Sequence, residues 1–153
     1  MLSSVEETSR LGGASAGAFS LSPDYAMVVD VNLATVPDVP KYETVPLGEG
    51  VSLSVSAATD RALTQYLQRV CEERGIAHTM IAAPSSTGTN ATAIQLVGRG
   101  IPTVDVGLPL RNMHTYNEVI DLADAEALTK LVEAFVCDGE IAARFCAREE
   151  LPR

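Results

Sequence analysis

An α/β fold with a layered, mostly parallel sheet and covering helices is what this sequence predicts, and three observations carry the prediction. Short β-branched apolar runs alternate with segments of helical period along the chain, the pattern of strands covered by helices. Capping residues and glycines stand where the helical segments begin and end. The 153 residues suit one domain, since single domains commonly hold ~100–200 residues, and 46% hydrophobic with 20% charged residues is enough to bury a core.

The elements follow in order. "LSSV" runs straight into two acids and a Gly-Gly turn, so residues 1–5 read as no more than the tail of a strand. "YAMVVDVNL" (25–33) is a β-branched apolar run, expected to form a strand over 25–32 that is buried on both faces. "ATVPDVPKYETVPLGEG" holds three prolines and two glycines and reads as a long loop. "VSLSVSA" (51–57) alternates strictly, which predicts a strand with one polar face. In "TDRALTQYLQRVCEERG", Leu63, Tyr66, Leu67 and Val70 share one helical face. Thr59 or Asp60 caps the start of that helix and Gly75 ends it, giving a helix over 59–74. "IAHTMIAA" predicts a strand over 77–83 with His78 as a packed or edge residue, and "NATAIQLVGRG" a short helix closing on glycine. "IPTVDVGLPL" predicts a strand over 101–108. Asp124 is a plausible N-cap for a helix over 124–136, with Leu128, Leu131, Val132 and Phe135 as its apolar stripe. Gly139 breaks or kinks it before "EIAARFCARE" continues.

Composition narrows the function. A formal net charge of −9 disfavours nucleic acid and anionic membrane surfaces, which need Lys and Arg. No apolar run approaches the ~20 residues of a membrane span, and Glu6 and Glu7 fall where a signal peptide would be apolar. Three cysteines (Cys71, Cys137, Cys146) without CxxC spacing suggest neither a disulfide framework nor a zinc knot, so a reducing cytoplasm fits best.

Ligands of open α/β sheets gather beyond the carboxyl ends of strands. Glu6 and Glu7, Asp30 and His114 all stand at such ends. Imidazole with carboxylates suits zinc, cobalt or manganese, and of two adjacent glutamates one can hold a metal while the other takes a proton from bound water. The plainer readings are a solvated acidic turn for Glu6–Glu7 and a surface histidine for His114. Asp30 is harder to explain that way, because an aspartate in an apolar strand costs desolvation unless it is paired or metal-bound.

Four blocks then resemble, in order, those of the dinuclear metallo-aminopeptidases, the group of glutamyl aminopeptidases, tetrahedral aminopeptidases and so-called cellulase M proteins. They are "VEETSRLGGASAGAF", "YAMVVDVNLATVPDVP", "GTNATAIQLVGRGIPT" and "LPLRNMHTYNEVIDLADAEAL". The resemblance implies a catalytic domain that removes N-terminal residues from peptides by attack of a water held by two divalent metal ions. By position, Glu6 becomes the general base and Glu7 a metal ligand. Asp30, in the strand after the next helix, becomes a ligand of the other metal, and His114 shares a metal with Glu7. Arg111, Thr89 and Asn90 fall near the expected substrate.

The departures from that pattern are specific. A His-x-Asp block and a bridging aspartate are expected upstream of the Glu-Glu pair, where only five residues stand. The inserted oligomerisation domain is absent, "GTN" replaces Gly-Thr-Asp, and "LRNMHT" replaces the commoner Arg-Tyr-x-His-Ser. The chain is therefore expected to be the C-terminal half of a catalytic domain, weakly active or inactive alone. It would self-associate or depend on a separate N-terminal half. The alternative is a non-catalytic, degenerate relative acting in assembly or binding.

Overall fold

The computed structural model describes residues 1–7 and 10–146 of the chain. One four-stranded sheet organises it: β1 (Ala26–Leu33), β2 (Val51–Ser56), β3 (His78–Ala83) and β4 (Thr103–Leu110), in spatial order β1-β4-β2-β3. β1 runs parallel to β4 and β2 parallel to β3. The two pairs join through an antiparallel contact of β2 with β4, Ser52 opposite Gly107 and Leu53 opposite Val106. The helices are α1 (Gly12–Leu21), α2 (Arg61–Arg74), α3 (Ala91–Ile94), α4 (Leu122–Cys137) and α5 (Gly139–Phe145), with one 3₁₀ turn at Lys41–Glu43. The α/β class with a mostly parallel sheet is as the sequence indicates.

The strand register separates two faces. Val51, Leu53, Val104 and Val106 point to one, where Leu63, Tyr66, Leu67 and Val70 of α2 meet Ala127, Leu131 and Ala134 of α4 and Ile141 of α5. This is the main core, and the apolar spacing of α2 matches it. Asp60 caps α2 by accepting from the Leu63 N–H (2.8 Å), and Gly75 ends it with φ +63°. The opposite face carries Val28, Ser52, Ser54, Asp105 and Gly107. Ala14 and Ala18 of α1, with Ala91 and Ile94 of α3, cover its Val28 end as a second, smaller core.

The serines of β2 form a polar side, but not one turned to solvent. Ser52 and Ser54 are both buried. Ser54 Oγ donates to Asp105 Oδ2 (2.7 Å), and Ser52 Oγ donates to the Gly107 carbonyl and accepts from Asn32 Nδ2. Gly107 must lack a side chain, because a Cβ would collide with Asn32 and with Ser52 Oγ. The alternation therefore comes from a hydrogen-bonded seam inside the sheet.

Three expectations need correction. The strand at 25–33 is not buried on both faces: β1 is an edge strand, and of its residues only Val28 is fully buried while Val29 is 46% exposed. Asp124 does not cap α4; Asp121 does, accepting from the Ala123 N–H (2.8 Å). Asp124 is buried one turn further on, where its carboxylate accepts from the N–H groups of Gly48 (2.9 Å) and Gly50 (2.7 Å). Residues 1–5 are no strand tail but irregular chain crossing α1, with Ser4 against Gly13 and the Met1 side chain against Gly17. α1 itself begins at the Gly-Gly pair, where periodicity indicated only a turn, because its small residues carry no apolar stripe to read. α4 breaks at Asp138, beside the expected Gly139, and Asp138 caps α5.

Two predictions concern the buried aspartates. Asp124→Ala leaves two glycine N–H groups without their acceptor and lowers unfolding free energy by roughly 2–3 kcal/mol. Asp121→Ala removes only a cap, about 1 kcal/mol; urea denaturation of both variants checks the order. Burial raises the Asp105 carboxyl above its ordinary value, and the nearby charge of Asp30 adds to this against the hydrogen bonds from Thr89 and Ser54. The folded state then binds this proton more tightly than the unfolded chain, so stability falls as pH climbs from about 4 through the raised value. Asp105→Asn should flatten that fall in Tm–pH profiles.

Candidate active site

The acids singled out by the sequence lie on two loops and one strand. Glu6 and Glu7 form a turn behind the irregular segment. Asp30 sits in the middle of β1, the fifth of its eight residues and not at the strand end that the sequence suggested, half-buried, its Oδ1 accepting from the Val31 N–H (2.8 Å). His114 lies in the loop after β4, where its own N–H donates to Glu118 Oε1 (2.8 Å).

The backbone on both loops is strained. Val5 (φ +52°) precedes the glutamates, and Asn112 (φ +60°) and His114 (φ +63°) stand on the other loop. Asparagine tolerates the left-handed region, but a β-branched valine there is a genuine outlier held by its surroundings.

The side chains approach each other unevenly. His114 Nε2 lies 3.7 Å from Glu7 Oε1, with the two side chains 68% and 70% exposed. Glu6 is half-buried and its carboxyl is raised above the ordinary value. Desolvation is the largest cause, followed by the negative charges of Asp30 and Glu7, with His114 opposing them. Glu6 thus feels all three other residues. The charge of Asp30 also reaches Asp105 behind it in the sheet.

These residues do not make up a metal site by themselves. Among the described residues no three His, Cys, Asp or Glu side chains converge closely enough to hold an ion. Glu7 and His114 supply two donors where a catalytic zinc rests on three protein ligands. Asp30 acts electrostatically on Glu6 and is not brought together with them as a third ligand.

The residues expected near substrate divide. Thr89 is buried and donates to Asp105 Oδ1 (2.6 Å). Asn90 Nδ2 donates to Ser3 Oγ (2.8 Å), three positions before Glu6, which ties it to the segment bearing the glutamates. Arg111 is exposed and lines a separate cavity of about 370 Å³ with Thr35, Lys41, Pro46 and Leu47. His78 is on the edge strand β3, its Nδ1 at 3.0 Å from the Ile76 carbonyl. Asp105 was not among the expected residues, although it interrupts "IPTVDVGLPL" as Asp30 interrupts "YAMVVDVNL". The same argument from desolvation would have found it.

Comparison with known proteins shows the family of the chain. The family model described as M42 glutamyl aminopeptidase matches residues 1–131. A lysyl aminopeptidase of Pyrococcus furiosus is 30% identical over 137 residues, covering 89% of this chain and 39% of that protein. Among solved structures, a TET aminopeptidase from a marine sediment thaumarchaeon superposes with a TM-score of 0.81 at 26% identity. It covers 91% of this chain and 40% of that one. The TET1 peptidase of Pyrococcus horikoshii, which can assemble into a tetrahedron or a large octahedral shell, gives a TM-score of 0.68 at 28% identity, over 84% of this chain and 38% of that one. The chain thus spans about two fifths of the length of these relatives. With the family model matched over most of its residues, the chain belongs to the M42 glutamyl aminopeptidase family.

Proposed function

We propose that this chain is the part of a metal-dependent aminopeptidase that supplies the general base and a share of the metal ligands. The observation that carries the reading is the approach of Glu7 and His114, from loops more than a hundred positions apart, beside a glutamate that holds its proton more tightly than usual. A base whose pKa lies nearer the working pH transfers protons more effectively. In this reading Glu6 takes the proton of the attacking water and returns it to the departing amine. Glu7, Asp30 and His114 are the chain's donors toward divalent metal ions (zinc, cobalt or manganese), which would supply Lewis-acid polarisation of the scissile carbonyl. Of Thr89, Asn90 and Arg111, the exposed Arg111 is the one open to the peptide, since Thr89 is buried against Asp105 and Asn90 is tied to Ser3.

With the donor set incomplete among the described residues, the remaining ligands fall to residues outside them, on an N-terminal half or another copy. The outer edge of β1 is unpaired among the described residues, and an open edge invites another strand. Met1, Leu2, Val5 and Val29 stand exposed on or near this side of the chain. A non-catalytic assembly module is the second reading, favoured by the same absence of a three-donor group.

Four outcomes are expected. The purified chain with zinc, cobalt or manganese should hydrolyse aminoacyl anilides no faster than background, whereas mixing with a complementing half bearing the missing ligands should restore turnover. Robust hydrolysis by the chain alone would overturn the shared-site reading, and silence with every complement would favour the assembly module. In the complemented enzyme, kcat/KM should decline as pH falls through the raised pKa of Glu6, because the base must be ionised, and Glu6→Gln should abolish that limb with the activity. His114→Ala should weaken zinc binding at least tenfold in calorimetry while leaving unfolding free energy within about 0.5 kcal/mol, as for other exposed positions. Sedimentation across a concentration series should show self-association.

A further inference from the structure

A buried carboxylate in the middle of a strand is costly unless it does something that an apolar residue could not. Asp105 is 1% exposed on the central strand β4. Its two oxygens are bonded separately, Oδ2 by Ser54 Oγ at 2.7 Å and Oδ1 by Thr89 Oγ1 at 2.6 Å, distances typical of hydrogen bonds to a charged acceptor. Ser54 anchors the carboxyl from the neighbouring strand, leaving Oδ1 aimed at the turn before α3.

The Thr89 hydroxyl has one proton and two lone pairs, and Asp105 takes the proton. The lone pairs are then free to accept from the Ala91 N–H (3.2 Å), and the hydroxyl also lies 2.9 Å from Thr87 Oγ1. Thr89 thereby does the capping work at the start of α3, where Asn90, the residue in the cap position, makes no cap bond of its own. The Asn90 carboxamide is turned instead toward Ser3, and its Oδ1 is buried without a hydrogen-bond partner among the described residues.

We propose that Asp105 is a positioning residue of the candidate site: through Thr89 it fixes the turn that presents Asn90, and through Asn90 it anchors at Ser3 the segment carrying Glu6 and Glu7. The line, part hydrogen bond and part backbone, runs from the centre of the sheet to Ser3, three positions before Glu6, without touching a candidate ligand. Its bearing on substrate rests on the aminopeptidase reading above; the positioning itself does not.

Amide hydrogen exchange by NMR on the whole chain tests it. In Asp105→Ala and Thr89→Val, the Thr89 and Ala91 amides should exchange at least tenfold faster. The Asn90 side-chain amide signals should collapse to the solvent-averaged position, and in Thr89→Val, which leaves the Ser54–Asp105 bond intact, Val104 and Val106 should stay within twofold of the unaltered protein. Thr89→Ser and Asp105→Asn keep a hydroxyl donor and an acceptor oxygen, so both should restore protection and the Asn90 signals. Should Asp105→Ala fail to fold, Thr89→Val still decides, since it removes the link from a turn. Unchanged exchange at Thr89 and Ala91 in Thr89→Val would overturn the proposal. So would equal acceleration throughout the sheet, or failure of Thr89→Ser to rescue. Loss of the peptidase reading would show instead as absent turnover in the complemented enzyme, with the exchange pattern intact.

Discussion

The narrow antiparallel contact between β2 and β4 is the constraint on which the rest of the molecule depends. Two parallel pairs, β1 with β4 and β2 with β3, are each well laddered, but only two opposed residue pairs bind one to the other. Side chains make up what the ladder lacks. Ser54 reaches Asp105, while Ser52 reaches Gly107 and Asn32, so the junction is stitched from the face opposite the main core. Asp124 adds a brace from α4 to the glycine turn leading into β2. Hydrogen bonds of this kind contribute modestly when made and cost more when half-made. The junction therefore tolerates few substitutions, and the identities at 52, 54, 105 and 107 are fixed by one another.

How much of this was legible in the sequence follows from which interactions are local. α2 could be read almost to the residue, because its apolar spacing, its Asp60 cap and its Gly75 terminus all lie within the element. The four strands could be placed because β-branched runs bounded by glycine and proline are short-range signals. What could not be read was the partner of each polar side chain. Asp121 and Asp124 are three positions apart and equally good caps by type. Only the glycine turn some 75 positions earlier decides that Asp124 is buried and Asp121 caps. Serine alternation in β2 indicates two kinds of face, but whether water or Asp105 satisfies the hydroxyls is a tertiary fact. The edge position of β1 was hidden likewise, since an apolar run looks the same at an edge as in the centre.

The candidate site is legible in residue type and only partly in geometry. Glu6, Glu7, Asp30 and His114 stood out by their place at strand ends and by family resemblance, and the first indication of how they sit together is electrostatic. Glu6 responds to the other three, yet only Glu7 and His114 approach as a pair. Their loops carry left-handed residues that no composition rule announces. Thr89 and Asn90 were singled out for substrate, whereas the structure gives each a partner within the chain: the sheet for one and the amino-terminal segment for the other.

The pairing of β1 with β4 also sets the order in which the chain can be assembled as it leaves the ribosome. Ala26 pairs with Thr103, 77 positions later (26 to 103), and every other rung of that ladder spans the same distance. At translation rates of about 5–20 residues per second, β1 waits roughly 4–15 s before its partner has even been made. β2 and β3 meet across a much shorter stretch, with α2 between them as a right-sized crossover, so their half of the sheet can form first. During that interval the apolar run Ala26–Leu33 is exposed nascent chain, and its safety rests on the polar interruptions Asp30 and Asn32. Asp30 would then serve during synthesis as a guard against premature strand pairing between nascent copies.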